Sequence, residues 1–122
     1  MNTPVHTLSD SQQTSMRNKL VQERDAVDGQ IAELTRSFDE IVTAVEDTNN
    51  DDEHDPEGTT IAFERAQVAA LLNQAKADRE AVDQALAKLD DGAYGVCEEC
   101  AEPIGVERLT AIPSAARCIK CA

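Results

Sequence analysis

Aromatic residues are almost absent from this 122-residue sequence, which has two Phe, one Tyr and no Trp. Large aromatic side chains fill much of the interior of broad protein cores, whereas here many apolar positions are Ala. A chain of this length is one domain by size, and it buries a narrow seam between helices more easily than a thick core. The composition therefore favours packed helices over a layered fold.

Basic residues and long apolar runs are also scarce. Eleven Lys and Arg stand against 24 Asp and Glu, so the net charge is −13. Binding to the phosphates of nucleic acids needs the opposite sign, and we expect no direct or sequence-specific DNA binding. The longest aliphatic run, residues 68–72, is too short to cross a bilayer, and the N-terminus lacks the apolar stretch of a signal peptide. We expect no membrane association and a cytoplasmic location.

Two stretches of the chain carry apolar residues at alternating spacings of three and four, which is the heptad pattern of helices that pack side by side. The first begins after Ser9, which forms a capping-box pattern with Gln12. The second begins after Asp55 and Pro56, a helix cap followed by proline at the first helical position, and it stops at Gly92. The heptad positions are Leu20, Val27, Ile31, Leu34, Phe38, Ile41 and Val45, then Ile61, Val68, Leu72, Ala75, Val82, Leu86 and Leu89.

The predicted fold is mainly α, with a long antiparallel coiled-coil hairpin and a small C-terminal C4 zinc finger. Two helices of about 38 and 36 residues joined by a short loop fold back on each other. We expect residues 1–8 to be disordered and residues 9–91 to form the hairpin, with an acidic tip at about residues 48–58. Residues 92–122 then form the finger.

Negative charge is concentrated around the predicted tip. From Ser37 to Glu64 the chain has ten acidic residues and no Lys or Arg. The centre of the predicted turn lies inside this segment. One interpretation is a solvated loop, which is what most charge runs are. The other is an acidic point that is attracted into a positively lined channel.

Four cysteines near the C-terminus have the spacing C-x2-C, seventeen residues, C-x2-C. They are Cys97, Cys100, Cys118 and Cys121. The two sulfurs of a pair can bind the same ion, and two such pairs complete a closed tetrahedral site around it. We therefore predict one structural zinc ion. Two disulfides are disfavoured in the cytoplasm, and a redox CxxC motif lacks its βαβ context. Four thiolates on Zn²⁺ carry a net charge of −2, which Arg108, Arg117 and Lys120 can partly offset.

The segment KLDDGAYGVCEECAEPIGVERLTAIPSAARCIKC, residues 88–121, closely resembles the C4 zinc finger of the DksA/TraR family, bacterial regulators of RNA polymerase. The run DDGAYG before the first cysteine pair, EPIG after it and ERLTAIPSAARC before the second pair are the pattern of that family. The resemblance is dense over residues 86–122 and looser over the predicted hairpin.

The resemblance implies a transcription regulator that binds RNA polymerase and inserts its coiled-coil tip into the secondary channel, near the catalytic Mg²⁺. Asp52 and Asp55 match the two aspartates of the family's Asp-x-x-Asp-x-Ala tip. Pro56 and Glu57 follow here, where the family has a basic residue and an alanine. The resemblance also implies no DNA binding by the finger. It leaves an alarmone nucleotide, guanosine tetraphosphate, open as a ligand, with no residue assigned to it.

Two other functions stay open at this point. One is a protein–protein adaptor that uses the rod and the finger, and the other is a Gre-like factor whose tip acids bind Mg²⁺ and stimulate transcript cleavage. No nucleophile–base pair, phosphate-binding glycine loop or open metal site occurs in the sequence, so we expect no enzyme. Because the heptad seam does not use the finger, we also expect the hairpin to fold without the metal.

Overall fold

The computed structural model describes residues 8–49 and 56–122, and the predicted tip residues Asp52 and Asp55 lie outside this range. Within it there are three helices: α1 (Asp10–Asn49), α2 (Pro56–Asp91) and α3 (Val106–Ala111). The prediction of a mainly helical chain with two long helices and a small C-terminal module is confirmed. None of the described helices combines the length and the apolar character that a bilayer crossing needs.

Two compact units share the long helices. Unit 1 consists of Met1–Ala26 with Arg79–Ala122, and unit 2 is Val27–Asp78. Unit 1 thus holds the start of α1, the end of α2 and the whole cysteine module. Unit 2 holds the remaining part of each long helix.

The start of α1 is fixed by a reciprocal pair of hydrogen bonds. The backbone N–H of Gln12 donates to Oγ of Ser9 at 3.1 Å, and the N–H of Ser9 donates to Oε1 of Gln12 at 2.9 Å. These bonds satisfy N–H groups that a helix start leaves without partners, so the predicted capping box is confirmed. The predicted disorder of residues 1–8 falls outside the described residues except at Leu8, which is buried in the core.

The end of α2 is set by Gly92, as the sequence predicts. This residue has φ 78°, in the left-handed region. The N–H of Ala93 donates to the carbonyl of Lys88 at 2.8 Å, and the N–H of Gly92 points to the carbonyl of Leu89 at 3.4 Å. This is the Schellman arrangement, which satisfies the last carbonyls of a helix and turns the chain away from its axis.

One hydrophobic core in unit 1 joins the two long helices to the cysteine module. Leu20 and Val82, one on each long helix, are fully buried there, and Leu109 of α3 is almost as fully buried. The residues of this core are Leu8, Met16, Leu20, Val82, Ala85, Leu89, Tyr94, Cys97, Ile104, Leu109 and Cys118. The expectation that the hairpin seam is independent of the finger is therefore wrong for this part of the hairpin.

In unit 2 the described side chains on the heptad pattern are buried or half-buried, and that of Val45 lies outside the described ones. Val27 and Ala75 are buried. The half-buried heptad residues are Ile31, Leu34, Phe38, Ile41, Ile61, Val68 and Leu72. Two large apolar side chains off the pattern, Phe63 and Leu71, are exposed. The predicted heptads therefore identify the packed faces of both helices.

Candidate functional site: a four-cysteine metal centre

The first cysteine pair lies on a tight turn, residues 97–100, which we name the first knuckle. Val96 and Pro103 flank it and form an isolated antiparallel bridge. The N–H of Ala101 donates to the carbonyl of Cys97 at 2.9 Å. Ala101 closes the turn with φ 62°, a left-handed conformation that costs an L-residue roughly 1–2 kcal/mol.

The second pair lies on another tight turn, residues 118–121, which we name the second knuckle. The N–H of Cys121 donates to the carbonyl of Cys118 at 3.0 Å. A backbone hydrogen bond joins this part of the chain to the first knuckle, because the N–H of Glu98 donates to the carbonyl of Ala116 at 2.9 Å. The seventeen residues between the pairs contain α3, whose buried Leu109 anchors them to the core.

The four sulfur atoms form one cluster. All of them lie within 4.8 Å of one another, and Sγ of Cys100 is 3.7 Å from Sγ of Cys118. Tetrahedral zinc with Zn–S bonds of about 2.3 Å places its sulfurs roughly 3.8 Å apart, so the donor set fits one ion. All four cysteines are free, and a disulfide needs a sulfur separation of about 2 Å. The disulfide alternative is therefore not supported.

The four thiols differ in environment. Cys97 and Cys118 are buried, Cys121 is half-buried and Cys100 is exposed. Burial opposes ionisation of Cys97, but backbone N–H groups of both knuckles outweigh it and lower its pKa to about 6. Burial likewise opposes ionisation of Cys118, whose pKa is nevertheless lowered by backbone and thiol hydrogen bonds. Thiol hydrogen bonds from Cys118 and Cys100 raise the pKa of Cys121 to about 12.

In each knuckle the pKa of one cysteine is lowered and the pKa of the other is raised. A backbone hydrogen bond from Glu102 favours the thiolate of Cys100, but burial and hydrogen bonds with the Cys97 and Cys118 thiols outweigh it and raise the pKa of Cys100. Zinc binds thiolates, so metal binding displaces thiol protons. Zinc affinity should consequently fall as the pH is lowered.

Tyr94 ties the start of the cysteine module to its middle. Its hydroxyl donates to the carbonyl of Pro113 at 2.7 Å, and the side chain is only 2% exposed. Burial, with a smaller contribution from the negative charge of Glu23, raises the pKa of Tyr94 to about 12. The hydroxyl of Tyr94 therefore keeps its proton in the folded protein and can donate it to the carbonyl of Pro113.

Arg117 and Arg108 lie beside the knuckles, but they pair with carboxylates and a backbone carbonyl, whereas the sequence suggested that they offset the charge of the thiolates. Nε of Arg117 contacts Oε2 of Glu98 at 3.1 Å, and its Nη2 lies 3.8 Å from Oε1 of Glu99. Nε of Arg108 donates to the backbone carbonyl of Arg117 at 2.8 Å. Lys120 is exposed. Sequence reasoning identified these cations as charge compensation and missed the pairing with Glu98 and Glu99, although the acidic CEEC motif offered a signal.

A comparison with protein families assigns this module. Residues 92–122 match the family model described as the prokaryotic dksA/traR C4-type zinc finger. This module is similar to the DksA/TraR zinc finger, and we call it the DksA/TraR finger. The predicted resemblance is confirmed, and so is the predicted cofactor, one structural zinc ion held by the four clustered cysteines.

Known proteins resemble the chain to different extents. RNA polymerase-binding transcription factor DksA of Caulobacter vibrioides is 59% identical over 34 residues, which are 28% of this chain and 24% of that protein. The chain thus matches only about a quarter of the length of this relative. General stress protein 16O of Bacillus subtilis is 32% identical over 108 residues, which are 88% of this chain and 64% of that protein.

The likeness of structure extends beyond the DksA/TraR finger. The structure of transcription factor DksA2 from Pseudomonas aeruginosa matches with a TM-score of 0.75 and 26% sequence identity. The match covers 93% of this chain and 81% of DksA2. It therefore includes the long helices as well as the DksA/TraR finger, and it confirms the predicted fold class.

Proposed function

We propose that this protein regulates transcription by binding RNA polymerase. The observation that carries the proposal is the combination of a DksA/TraR finger with two long helices, which matches DksA2 over 93% of the chain. The Caulobacter relative is itself an RNA polymerase-binding transcription factor. On this proposal the protein works in the cytoplasm and acts by binding rather than by catalysis. The zinc ion is structural because all four of its ligands come from the protein.

The proposed acting part is the acidic connection between α1 and α2. Since α1 ends at Asn49 and α2 begins at Pro56, Asp52 and Asp55 fall between the two helix ends. Exposed carboxylates on the neighbouring helical turns extend the negative potential, namely Glu46 and Glu64. A potential of this sign steers a segment into a basic channel that leads to metal ions. We propose that Asp52 and Asp55 act there, in the secondary channel.

Two properties of the proposed regulator follow from charge and resemblance. With a net charge of −13 it should act on the polymerase without contacting DNA directly. Guanosine tetraphosphate is proposed as a modulator on the resemblance alone. Transcription measured with and without this nucleotide tests that part separately.

The deciding experiment is in vitro transcription by the native polymerase with the double variant Asp52→Asn and Asp55→Asn. The amides keep the side-chain shape and remove two charges, so the effect on transcription should be lost while zinc content and polymerase binding are retained. The control is Asp39→Asn with Glu40→Gln, which removes two charges from an exposed part of α1. Full activity of the tip variant, or equal loss in the control, would argue against a specific role of the tip.

The alternatives give different results. An adaptor that only shares the fold would not co-purify with the RNA polymerase core enzyme. A Gre-like factor would bind the polymerase and accelerate transcript cleavage in a stalled elongation complex, because its acids would then hold Mg²⁺. Binding should also weaken as salt is raised if the acidic tip steers association, since exposed charges are screened over about 8 Å at physiological ionic strength.

A further inference from the structure

The two knuckles of the zinc finger are joined by a single arginine side chain. Arg117 directly precedes Cys118 of the second knuckle, and it pairs with Glu98 and Glu99. These glutamates are the two residues between the cysteines of the first knuckle, Cys97 and Cys100. The side chain of the residue just before the second pair of ligands therefore pairs with both residues that separate the first pair.

The backbone of the same residues supports this pairing. Arg108 of α3 donates from Nε to the carbonyl of Arg117 at 2.8 Å, which fixes the main chain from which the Arg117 side chain extends. The N–H of Glu98 donates to the carbonyl of Ala116 at 2.9 Å, one residue before Arg117. Main-chain and side-chain contacts thus join the same two short segments.

We propose that Arg117 is a positioning residue of the zinc site, and that its pairing with Glu98 and Glu99, the knuckle clasp, slows zinc release by keeping the four sulfurs together. Zinc needs ligands from both knuckles at once, so any contact that holds the knuckles together lowers the entropic cost of assembling the site. Arg117 interacts electrostatically with Cys121, but its ion pairs are with Glu98 and Glu99, so it acts through the first knuckle.

Charge alone predicts effects of opposite sign for the two partners of the clasp. Four thiolates on Zn²⁺ carry a net charge of −2, so removal of the positive Arg117 should destabilise the zinc-bound site. Removal of the negative Glu98 and Glu99 should stabilise it. The clasp, in contrast, is broken by either change. The sign of the two effects therefore separates positioning from simple charge.

The experiment measures the rate of zinc release from the full chain to a chromogenic chelator at low ionic strength. Arg117→Gln and the double variant Glu98→Ala with Glu99→Ala should each release zinc about three- to fivefold faster. This is less than the roughly 10–100-fold losses seen for partners that bond directly to a ligand, because the paired side chains are 43–61% exposed. All three changes together should add little to either alone.

Three comparisons complete the test. Arg117→Lys keeps the positive charge but has one ammonium group in place of the guanidinium that reaches both glutamates. It should release zinc more slowly than Arg117→Gln and faster than the unmodified protein. Lys120→Gln removes a positive charge from the second knuckle at an exposed side chain and should leave the rate near that of the unmodified protein. Helical content should be equal in all variants, so that release is compared between folded proteins.

Opposite signs for the arginine and glutamate variants would overturn the proposal and assign the effect to charge. Equal acceleration by Lys120→Gln and Arg117→Gln, or an unchanged rate in Arg117→Gln, would overturn it as well. The difference between Arg117→Gln and the unmodified protein should also shrink at about 1 M salt, where screening acts over ~3 Å.

Discussion

Removal of zinc should unfold the whole of unit 1 and not the finger alone. The finger supplies Tyr94, Ile104 and Leu109 to the core that Leu20 and Val82 of the long helices also occupy. Burial of a side chain of this size contributes about 1.5–3 kcal/mol, so these three contribute on the order of 5–9 kcal/mol. That is comparable with the entire stability of a typical domain, about 5–15 kcal/mol. A finger without its metal lacks a core of its own, so it cannot keep these side chains in place.

Circular dichroism distinguishes the two outcomes because the helices differ so much in length. Residues 10–26, residues 79–91 and α3 belong to unit 1 and comprise roughly two fifths of all described helical residues, whereas α3 alone comprises about one in fourteen. We expect chelation to remove at least the two fifths of the helical signal that unit 1 contributes, and not only the small part that α3 contributes. Cys97→Ser should give the same spectrum, and chelator should not change that variant further.

Hydrogen exchange locates the loss. The amides of Leu20 and Val82 should lose protection together with those of the finger when zinc is removed. A loss limited to the signal of α3, with Leu20 and Val82 still protected, would refute the shared-core reasoning. It would support the expectation from the sequence that the hairpin stays folded when the finger has lost its zinc ion.

Three further changes test local features of the same unit. Ser9→Ala removes the capping box and should lower the free energy of unfolding by ~1 kcal/mol in thermal denaturation, whereas Ser15→Ala, exposed on the same helix, should be near neutral. Gly92→Ala should cost roughly 1–2 kcal/mol although no atom lies within 4 Å of the added Cβ, because φ is 78°; an unchanged melting temperature would contradict this. Tyr94 has its pKa raised to about 12, so its contribution is complete below pH 10 and is lost as the pH rises through 12. Tyr94→Phe should flatten this pH dependence, and a phenolate titration centred near pH 10 in the folded protein would show that the hydroxyl is not buried.

The features that sequence reasoning predicted correctly are local or periodic. The capping box at Ser9, the stop at Gly92 and the helix start at Pro56 depend on residues within a few positions of each other. The heptads needed only spacing, because residues three and four apart share one face of a helix. The cysteine pairs were recognisable for the same reason, since each C-x2-C turn brings its two sulfurs together by itself.

The features that it missed connect distant parts of the chain. The pattern of the hairpin contains no sign that Leu20 and Val82 share a core with Leu109, because periodicity reports which face is apolar and not what covers it. The tip residues Asp52 and Asp55 stay a prediction from composition and resemblance.

The amino-acid sequence by itself determined the helical class, the helix ends and the four zinc ligands, because each is written in spacings shorter than two helical turns or in a repeated motif. Only the tertiary structure decided how the finger is held. It placed Arg117 against Glu98, nineteen positions away, and it closed the phenol of Tyr94 onto the carbonyl of Pro113. Contacts between residues nineteen positions apart depend on how the chain between them is folded. Here that chain contains α3, which is held in place because Leu109 is buried in a core built from all three helices.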